Sequence, residues 1–378
     1  MILTPGQRHV RATAEDFAAR EIAPHALAWE RAGSAPLEVL RALGELGFMG
    51  MTIERAWGGA GHDHVSYVLA VEAIAAADCG LCNLMCVNNS PNCAALLDHG
   101  TAWQKETFLR PLARGVAHSA FLLTEPHAGS DAAALRTRAE RDGDTYVLNG
   151  TKAFATGGRS ADYALVVAVT DPAAGKHGIS CFLTSTRVPG YRVLREERKL
   201  GHRTVDTCLV ALENLRVPAT HLLGPPGSGY RIALAYLENG RIGVAAQAVG
   251  VARAALRAAS DHAAAHSVSG RPLCAHQAVA FRLADMATAV ESARQITLHA
   301  AALKDAGHPC IREASMAKLH ATAIAEQVCS AALQVHGDDG CLDDFPVQKF
   351  YRDARVLAIY EGTNEIQRIV IARQLGLG

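Results

Sequence analysis

The sequence predicts an α+β protein in three parts: an N-terminal helical domain over 1–118, a middle β-barrel or sandwich domain over 119–224, and a C-terminal antiparallel helix bundle over 225–378. Three observations carry this prediction. Apolar residues recur at three- and four-residue intervals before about Ala120 and again after about Tyr230. Between Ala120 and Leu223 the period falls towards two, in short runs separated by turn residues. The segments after Tyr230 are long and alanine-rich, which suits tight packing of helices in a bundle.

In chain order, Thr4, Pro5 and Gln7 form an N-cap, a first-turn proline and a capping-box partner, opening a helix expected to run to about Arg31. Leu37 to Leu46 gives a second helix, closed by Gly47. Three glycines in five residues from Trp57 to Gly61 mark a loop. Further helices are expected over Val65 to Ala77, around Cys93 to Leu97, and over Gln104 to Ala113. In the middle part, Leu135, Thr137 and Ala139 alternate before a turn at Asp142-Gly143. Tyr146 to Leu148 reads as a strand and Asn149-Gly150 as a hairpin turn. Lys152–Thr156, Ala164–Val169, Ile179–Thr184 and Thr207–Leu212 continue as short strands. Long helices follow over Tyr230–His266, Cys274–Asp305 and Ile311–His336. In the first of these, Gly240, Gly243 and Gly250 permit close approach. Val347 to Ile359 and a terminal helix containing Ile366, Ile369 and Val370 complete the chain.

Composition narrows the function. The 378 residues are 49% hydrophobic and 20% charged, with 37 basic and 37 acidic side chains, as in an ordinary globular protein large enough for a sizeable core. No basic stripe or arm suggests nucleic acid, and no apolar run reaches membrane-spanning length. Met1 to Glu30 carries charges throughout, unlike a signal peptide. Ten cysteines without framework spacing point to reduced thiols and a cytoplasmic setting. Cys79, Cys82 and Cys86 sit among Leu81, Leu84, Met85 and Val87 and read as core thiols, so no metal centre is expected.

Three stretches carry chemistry. In Ile359-Tyr360-Glu361-Gly362-Thr363-Asn364, Thr363 or Asn364 caps the last helix and Glu361 falls in a tight break between two helices. Tyr360 and its apolar neighbours would dehydrate the carboxylate and raise its pKa towards that of a general base. In Phe121-Leu122-Leu123-Thr124-Glu125-Pro126-His127-Ala128-Gly129-Ser130-Asp131, small residues and hydroxyls could present backbone N–H groups and Ser130 to a phosphate, and Thr124 to a heterocycle edge. In Asn149-Gly150-Thr151-Lys152-Ala153-Phe154-Ala155-Thr156, a ring and a hydroxyl two residues apart share a strand face. There they could meet a flat cofactor, or Phe154 could fill the barrel core.

Together with Tyr351-Arg352-Asp353-Ala354-Arg355, Gly240-Arg241-Ile242-Gly243 and Arg282-Leu283-Ala284-Asp285-Met286, these stretches resemble the acyl-CoA dehydrogenase family over essentially the whole chain, most closely its short- and branched-chain bacterial members. The resemblance implies the same three-part architecture, a homotetramer, an FAD cofactor, and electron delivery to an electron-transfer flavoprotein. It implies α,β-dehydrogenation of an acyl thioester to the trans-2-enoyl product. Glu361 would remove the α-proton and the β-hydrogen would leave as hydride to N5 of FAD. Some relatives carry the acid at the position of Gly240, which cannot act as a base here.

By the same resemblance Phe121, Thr124, Ser130, Phe154 (where Trp is commoner), Thr156, Thr363 and Glu365 contact the cofactor. Ser130, Thr170, Glu238 (where Asp is commoner), Arg241, Tyr360 and Gly362 surround the thioester and its pantetheine. His266, Gln277, Gln334 and Gly337 match the positions that reach the FAD pyrophosphate of a neighbouring subunit. Two of these segments depart from the family pattern. His266 stands for an Arg, Ser269 for a Phe, and Asp338 for a glycine near the pyrophosphate. Losing a charge-assisted hydrogen bond costs on the order of 1.5–3 kcal/mol, so weakened FAD affinity is expected. A protonated His266 paired with Asp338 would restore part of the charge. Two other readings remain at this point: a flavin-poor homologue acting in binding or assembly, and a dehydrogenase of acyl chains on a carrier protein.

Overall fold

The computed structural model describes residues 1–377. The N-terminal part is helical: α1 (Pro5–Phe17), α2 (Ala26–Ala32), α3 (Leu37–Glu45), α4 (His64–Ala77), α5 (Cys79–Val87), α6 (Ala94–His99), α7 (Ala102–Gln104) and α8 (Arg110–Ala113). The Thr4/Gln7 capping box forms. The single helix expected up to Arg31 is broken: the chain loosens into a wider π-type turn over Ala18–Ile22 before restarting as α2. Cys79, Cys82 and Cys86 lie on α5, begun by Asp78, whose carboxylate accepts from the Leu81 N–H.

The middle strands are β1 (Ser119–Leu122), β2 (Arg138–Asp142), β3 (Thr145–Thr156), β4 (Tyr163–Val169), β5 (Ile179–Ser185), β6 (Tyr191–Glu196), β7 (Thr207–Pro218) and β8 (Leu222–Leu223). They pair in the order β6-β7-β3-β2-β4-β5-β8, with β1 parallel to β4. Asn149-Gly150 is not a hairpin turn. β3 runs straight through it, and its pairing with β7 shifts register there. A side chain at Gly150 would meet Thr137, its Cβ lying 2.4 Å from Oγ1, so the glycine serves a close approach inside the sheet. The hairpin lies earlier, where Asp142 pairs with Thr145.

The C-terminal bundle contains α9 (Gly229–Ala265), α10 (Gln277–Asp305), α11 (Ile311–His336), α12 (Pro346–Leu357) and α13 (Asn364–Gln374). Contrary to the expectation from apolar runs, α9 is long and apolar enough to cross a membrane, but 72% of its most apolar window is buried inside the protein, as in a core helix. Gly250 lets α9 meet the α4 backbone, its ideal Cβ falling 2.3 Å from the Glu72 carbonyl oxygen. The Glu72 carboxylate, buried, receives Arg253 of α9 and Arg294 of α10. One apolar core therefore includes residues of both helical parts, from Val10 to Leu357. A separate core fills the inner face of the sheet.

A buried charge network fastens the three parts together. Lys349 of α12 bonds Asp78 at 3.1 Å and Asp353 at 2.5 Å. Asp353 accepts from the His202 N–H at 2.6 Å, and Asp78 accepts from the Thr204 hydroxyl at 2.6 Å. Arg352 adds a two-pronged pair with Glu30 of α2. Removing one member leaves buried charge uncompensated, which costs about 3–5 kcal/mol. Lys349→Met is therefore expected to lower the unfolding free energy, measured by denaturant titration, by that amount, and adding Asp78→Asn and Asp353→Asn to recover part of it. A loss below about 1 kcal/mol would show that the network does not fasten the domains.

Candidate active site

Glu361 sits between the end of α12 and the start of α13, with its backbone in the left-handed region (φ 55°), followed by Gly362 at φ 87°. A residue with a Cβ adopts this conformation at a cost of roughly 1–2 kcal/mol, so the surroundings must hold it there. They do so from both sides. Thr363 caps α13, its hydroxyl accepting from the Ile366 N–H, and Gln367 donates to the Gly362 carbonyl at 2.8 Å. The Asn364 N–H closes back on the Ala358 carbonyl. Below the break, Lys318 Nζ donates to Asn364 Oδ1 at 3.1 Å. Asn364 Nδ2 donates to Thr322 Oγ1, which in turn donates to the Lys318 carbonyl. On the upstream side the Tyr360 hydroxyl reaches Gln247 of α9.

This clamp presses the carboxylate against α9. An ideal Cβ at Gly240 would fall 2.4 Å from Glu361 Oε2 and 3.0 Å from its Cδ. Positions 240 and 361 therefore project to one point, and only glycine at 240 leaves room for the glutamate. Oε2 is buried without a hydrogen-bond partner among the described residues, although the residue as a whole is only half-buried. Burial pushes the Glu361 carboxyl up to about 7, with Arg241 and then Lys318 pulling it back down. Arg241 is itself buried, bonded to Ser315 through Nη1, with Nε unpartnered among the described residues. Five of the ten buried side-chain atoms lacking partners there belong to Asn239, Arg241, Gln247, Glu361 and Gln367, which points to a polar ligand at this spot. The Glu361 N–H donates to no acceptor among the described residues.

The cofactor-side residues gather around β3. Phe154 does not fill the barrel core: its ring is 67% exposed and its backbone is left-handed (φ 56°), at a register shift between β3 and β7. The Ala153 N–H donates to the Thr124 carbonyl at 2.8 Å, setting Thr124 beside Ala153, next in the chain to Phe154. Fully buried Lys152 bonds the Leu123 carbonyl and Glu125, and Glu125 also accepts from the N–H groups of Arg136 and Thr137. This pair pins the 123–125 turn to β3. Phe121 and Thr124 are half-buried, and Ser130 is exposed. The Thr156 hydroxyl meets Asn83 Nδ2 at 3.5 Å, and Cys79, four residues earlier on α5, points its thiol at Gln247. Asn83 and Cys79 stand about 6 Å apart along the axis of α5, so one helix carries contacts to both Thr156 and the group that holds Tyr360 beside Glu361. An exposed ring, hydroxyls and unpartnered buried polar atoms together fit a flat, hydrogen-bonding cofactor such as FAD.

Other expected residues are placed differently. The Thr170 hydroxyl is spent within its own turn, on Gly178 and Ser180. Glu238 is held by Lys304 and Cys310. Exposed Glu365 pairs with Arg368. His266, Gln277, Gln334 and Gly337 lie at the opposite end of the bundle, since Gly240 and Ala265 are roughly 38 Å apart along α9. His266 does not face Asp338. Successive residues of the 337–341 turn point about 120° apart, and it is Asp339 that faces His262 and His266. Lys318, Gln247 and the Lys152–Glu125 pair carry no sequence signal that marks them for the site, and Asn364, a candidate cap in the sequence, instead bonds Lys318 and Thr322 while Thr363 caps the helix. Each acts through a partner distant in the chain.

Comparison with known proteins agrees with this geometry. Residues 4–116, 120–215 and 227–376 match the N-terminal, middle and C-terminal domains of acyl-CoA dehydrogenase in turn. An acyl-CoA dehydrogenase of Bacillus subtilis is 43% identical over 375 residues, 99% of each chain. The mitochondrial short-chain specific acyl-CoA dehydrogenase of Mus musculus is 42% identical, covering 97% of this chain and 89% of its own. The structure of butyryl-CoA dehydrogenase from Megasphaera elsdenii superposes with a TM-score of 0.97 at 39% identity, over 99% of both chains. With all three domains matched in order around the Glu361 site, the chain belongs to the acyl-CoA dehydrogenase family of flavin-dependent oxidoreductases.

Proposed function

We propose that the protein dehydrogenates a short-chain acyl-CoA between its α and β carbons, with Glu361 as the base. The observation that carries this reading is the buried, unpartnered Oε2 of Glu361, held against Gly240 with its carboxyl raised to about 7. The short-chain assignment rests on relatives with that specificity in their names. A carboxylate with this pKa is about half ionised at neutral pH and more basic than an ordinary glutamate, as a group that takes a proton from carbon next to a thioester needs to be. The Glu361 N–H, free of any acceptor among the described residues, is available to the thioester oxygen, where it would stabilise the charge that develops as the proton leaves. Arg241 and Lys318 keep enough of the carboxylate ionised to act. Bound FAD supplies the acceptor for the β-hydrogen as hydride, and Phe121, Thr124, Ser130, Phe154 and Thr156 are the residues that would hold it.

The separation along α9 supports use of a second copy. His266, Gln277, Gln334 and Gly337 stand too far from Gly240 to share one flavin with Glu361, so they would serve a flavin bound by another chain, in a homo-oligomer. A His in place of Arg there would leave FAD held more weakly than in relatives.

Glu361→Gln preserves shape and removes the base, so flavin reduction by butyryl-CoA in stopped flow should slow by about 10²- to 10⁴-fold. A loss below about tenfold would move the base elsewhere. In the wild type the rate of this step should rise with pH through about 7, because only the ionised carboxylate accepts a proton. Lys318→Met removes a cation that lowers the Glu361 pKa, so its profile should shift to higher pH. A profile unmoved by the substitution would separate Lys318 from the base.

A further inference from the structure

We propose that His262, His266 and Asp339 form a binding site for a divalent transition-metal ion at the C-terminal end of α9, far along that helix from Glu361 of the same chain and in the segment that would face another chain's flavin. One ligand atom from each of the three lies within 4.8 Å of the other two. His262 and His266 are separated by four positions, with only alanines between, and so occupy one helix face a single turn apart. Two imidazoles at this spacing are a recurrent chelating pair on helices. Asp339 comes from a separate element, the turn over Gly337–Cys341, and supplies the negative charge.

The local chemistry favours a cation over an anion. His266 caps α9, where the unpaired carbonyl ends of a 37-residue helix concentrate partial negative charge. The His336 and His266 rings pack against His262, and the Asp339 carboxylate lies within reach of it. Neither the His262 ring nor the Asp339 carboxylate has a hydrogen-bonded or ion-paired protein partner among the described residues, while both ring systems beside His262 are oriented. His266 Nδ1 bonds the His262 carbonyl at 3.0 Å and His336 Nδ1 bonds the Ala332 carbonyl at 2.8 Å. A carbonyl at Nδ1 fixes the proton there and leaves Nε2 as the lone-pair donor, the usual support for a metal-ligating histidine. The His336 ring lies 4.3 Å from the His262 ring, tilted by 32°, and packs against the cluster without belonging to it.

Two imidazoles and a carboxylate suit Zn²⁺ and its neighbours rather than Mg²⁺ or Ca²⁺, which prefer all-oxygen sites. With metal–ligand distances of about 2.0–2.2 Å, paired ligand atoms can be no more than about 4.4 Å apart. Tetrahedral ligation at these lengths brings paired ligand atoms to about 3.4 Å, so any wider separation within the 4.8 Å cluster closes as the ion binds. His266 is exposed and Asp339 only half-buried, so ring and carboxylate rotation can supply that movement. The proposal does not depend on the role of Glu361.

The test uses untagged, flavin-loaded protein, stripped with a chelator and dialysed, with the exposed thiols of Cys274 and Cys341 alkylated so that they cannot compete. Zn²⁺ is titrated by calorimetry, and Co²⁺ by visible absorption. Wild type should take up one ion per chain in the micromolar range or tighter. The His262→Gln/Asp339→Asn double variant should lose at least about tenfold in affinity while keeping its circular dichroism. Asp339→Asn alone is a second variant should the first fail to fold. Absence of saturable binding to wild type, or equal binding by the folded variants, overturns the site.

Discussion

A glutamate held in left-handed backbone against a glycine is the constraint on which the C-terminal half depends. Glu361 reaches α9 only because Gly240 has no side chain, and it stays there because Thr363, Gln367 and the Lys318–Asn364–Thr322 chain fix both ends of the break. Burial then raises the carboxyl to about 7, and two buried cations limit how far it rises. Backbone strain, missing hydrogen bonds and uncompensated charge meet at one residue. Each costs stability, so their coincidence argues for chemistry rather than packing.

The rest of the fold supplies the counterforce. The Asp78–Lys349–Asp353 network joins the N-terminal helices, the loop between β6 and β7 and α12, the helix that ends a few residues before Glu361. α5 carries contacts to both Thr156 and Gln247. The Lys152–Glu125 pair sets the turn that bears Thr124. Movement of the sheet relative to the bundle would therefore alter the distance between Thr124, Phe154 and Thr156 and the Glu361 carboxylate.

Much of this was legible in the sequence, because it is written in local signals. The boundaries of α11, the Thr4 capping box and the cap at Thr363 follow from residues within one turn of each other. The same local reasoning failed at Asn149-Gly150, where a strong turn signal yields to the pairing of β3 with β7 and to a close approach by Thr137. It also extended α1 through the wider turn at Ala18–Ile22. Within the site, Glu361 could be found from its setting between two helices. Lys318 could not, because its relation to Glu361 runs through Asn364 across 46 positions of chain. The His262–His266–Asp339 cluster escaped for the same reason: the two histidines have helical spacing, but the carboxylate is supplied by a turn that no sequence pattern ties to them.

The central claim is that the reaction needs a carboxylate at one point in space, and that positions 240 and 361 both reach it. Moving the acid tests this most directly. Glu361→Gly and the double variant Gly240→Glu/Glu361→Gly are compared for flavin reduction by butyryl-CoA under single-turnover conditions. The account predicts that the double variant recovers a substantial part of the rate lost in the single one, because the new side chain starts 2.4 Å from where Oε2 now lies. A folded, flavin-loaded double variant no faster than Glu361→Gly would contradict it.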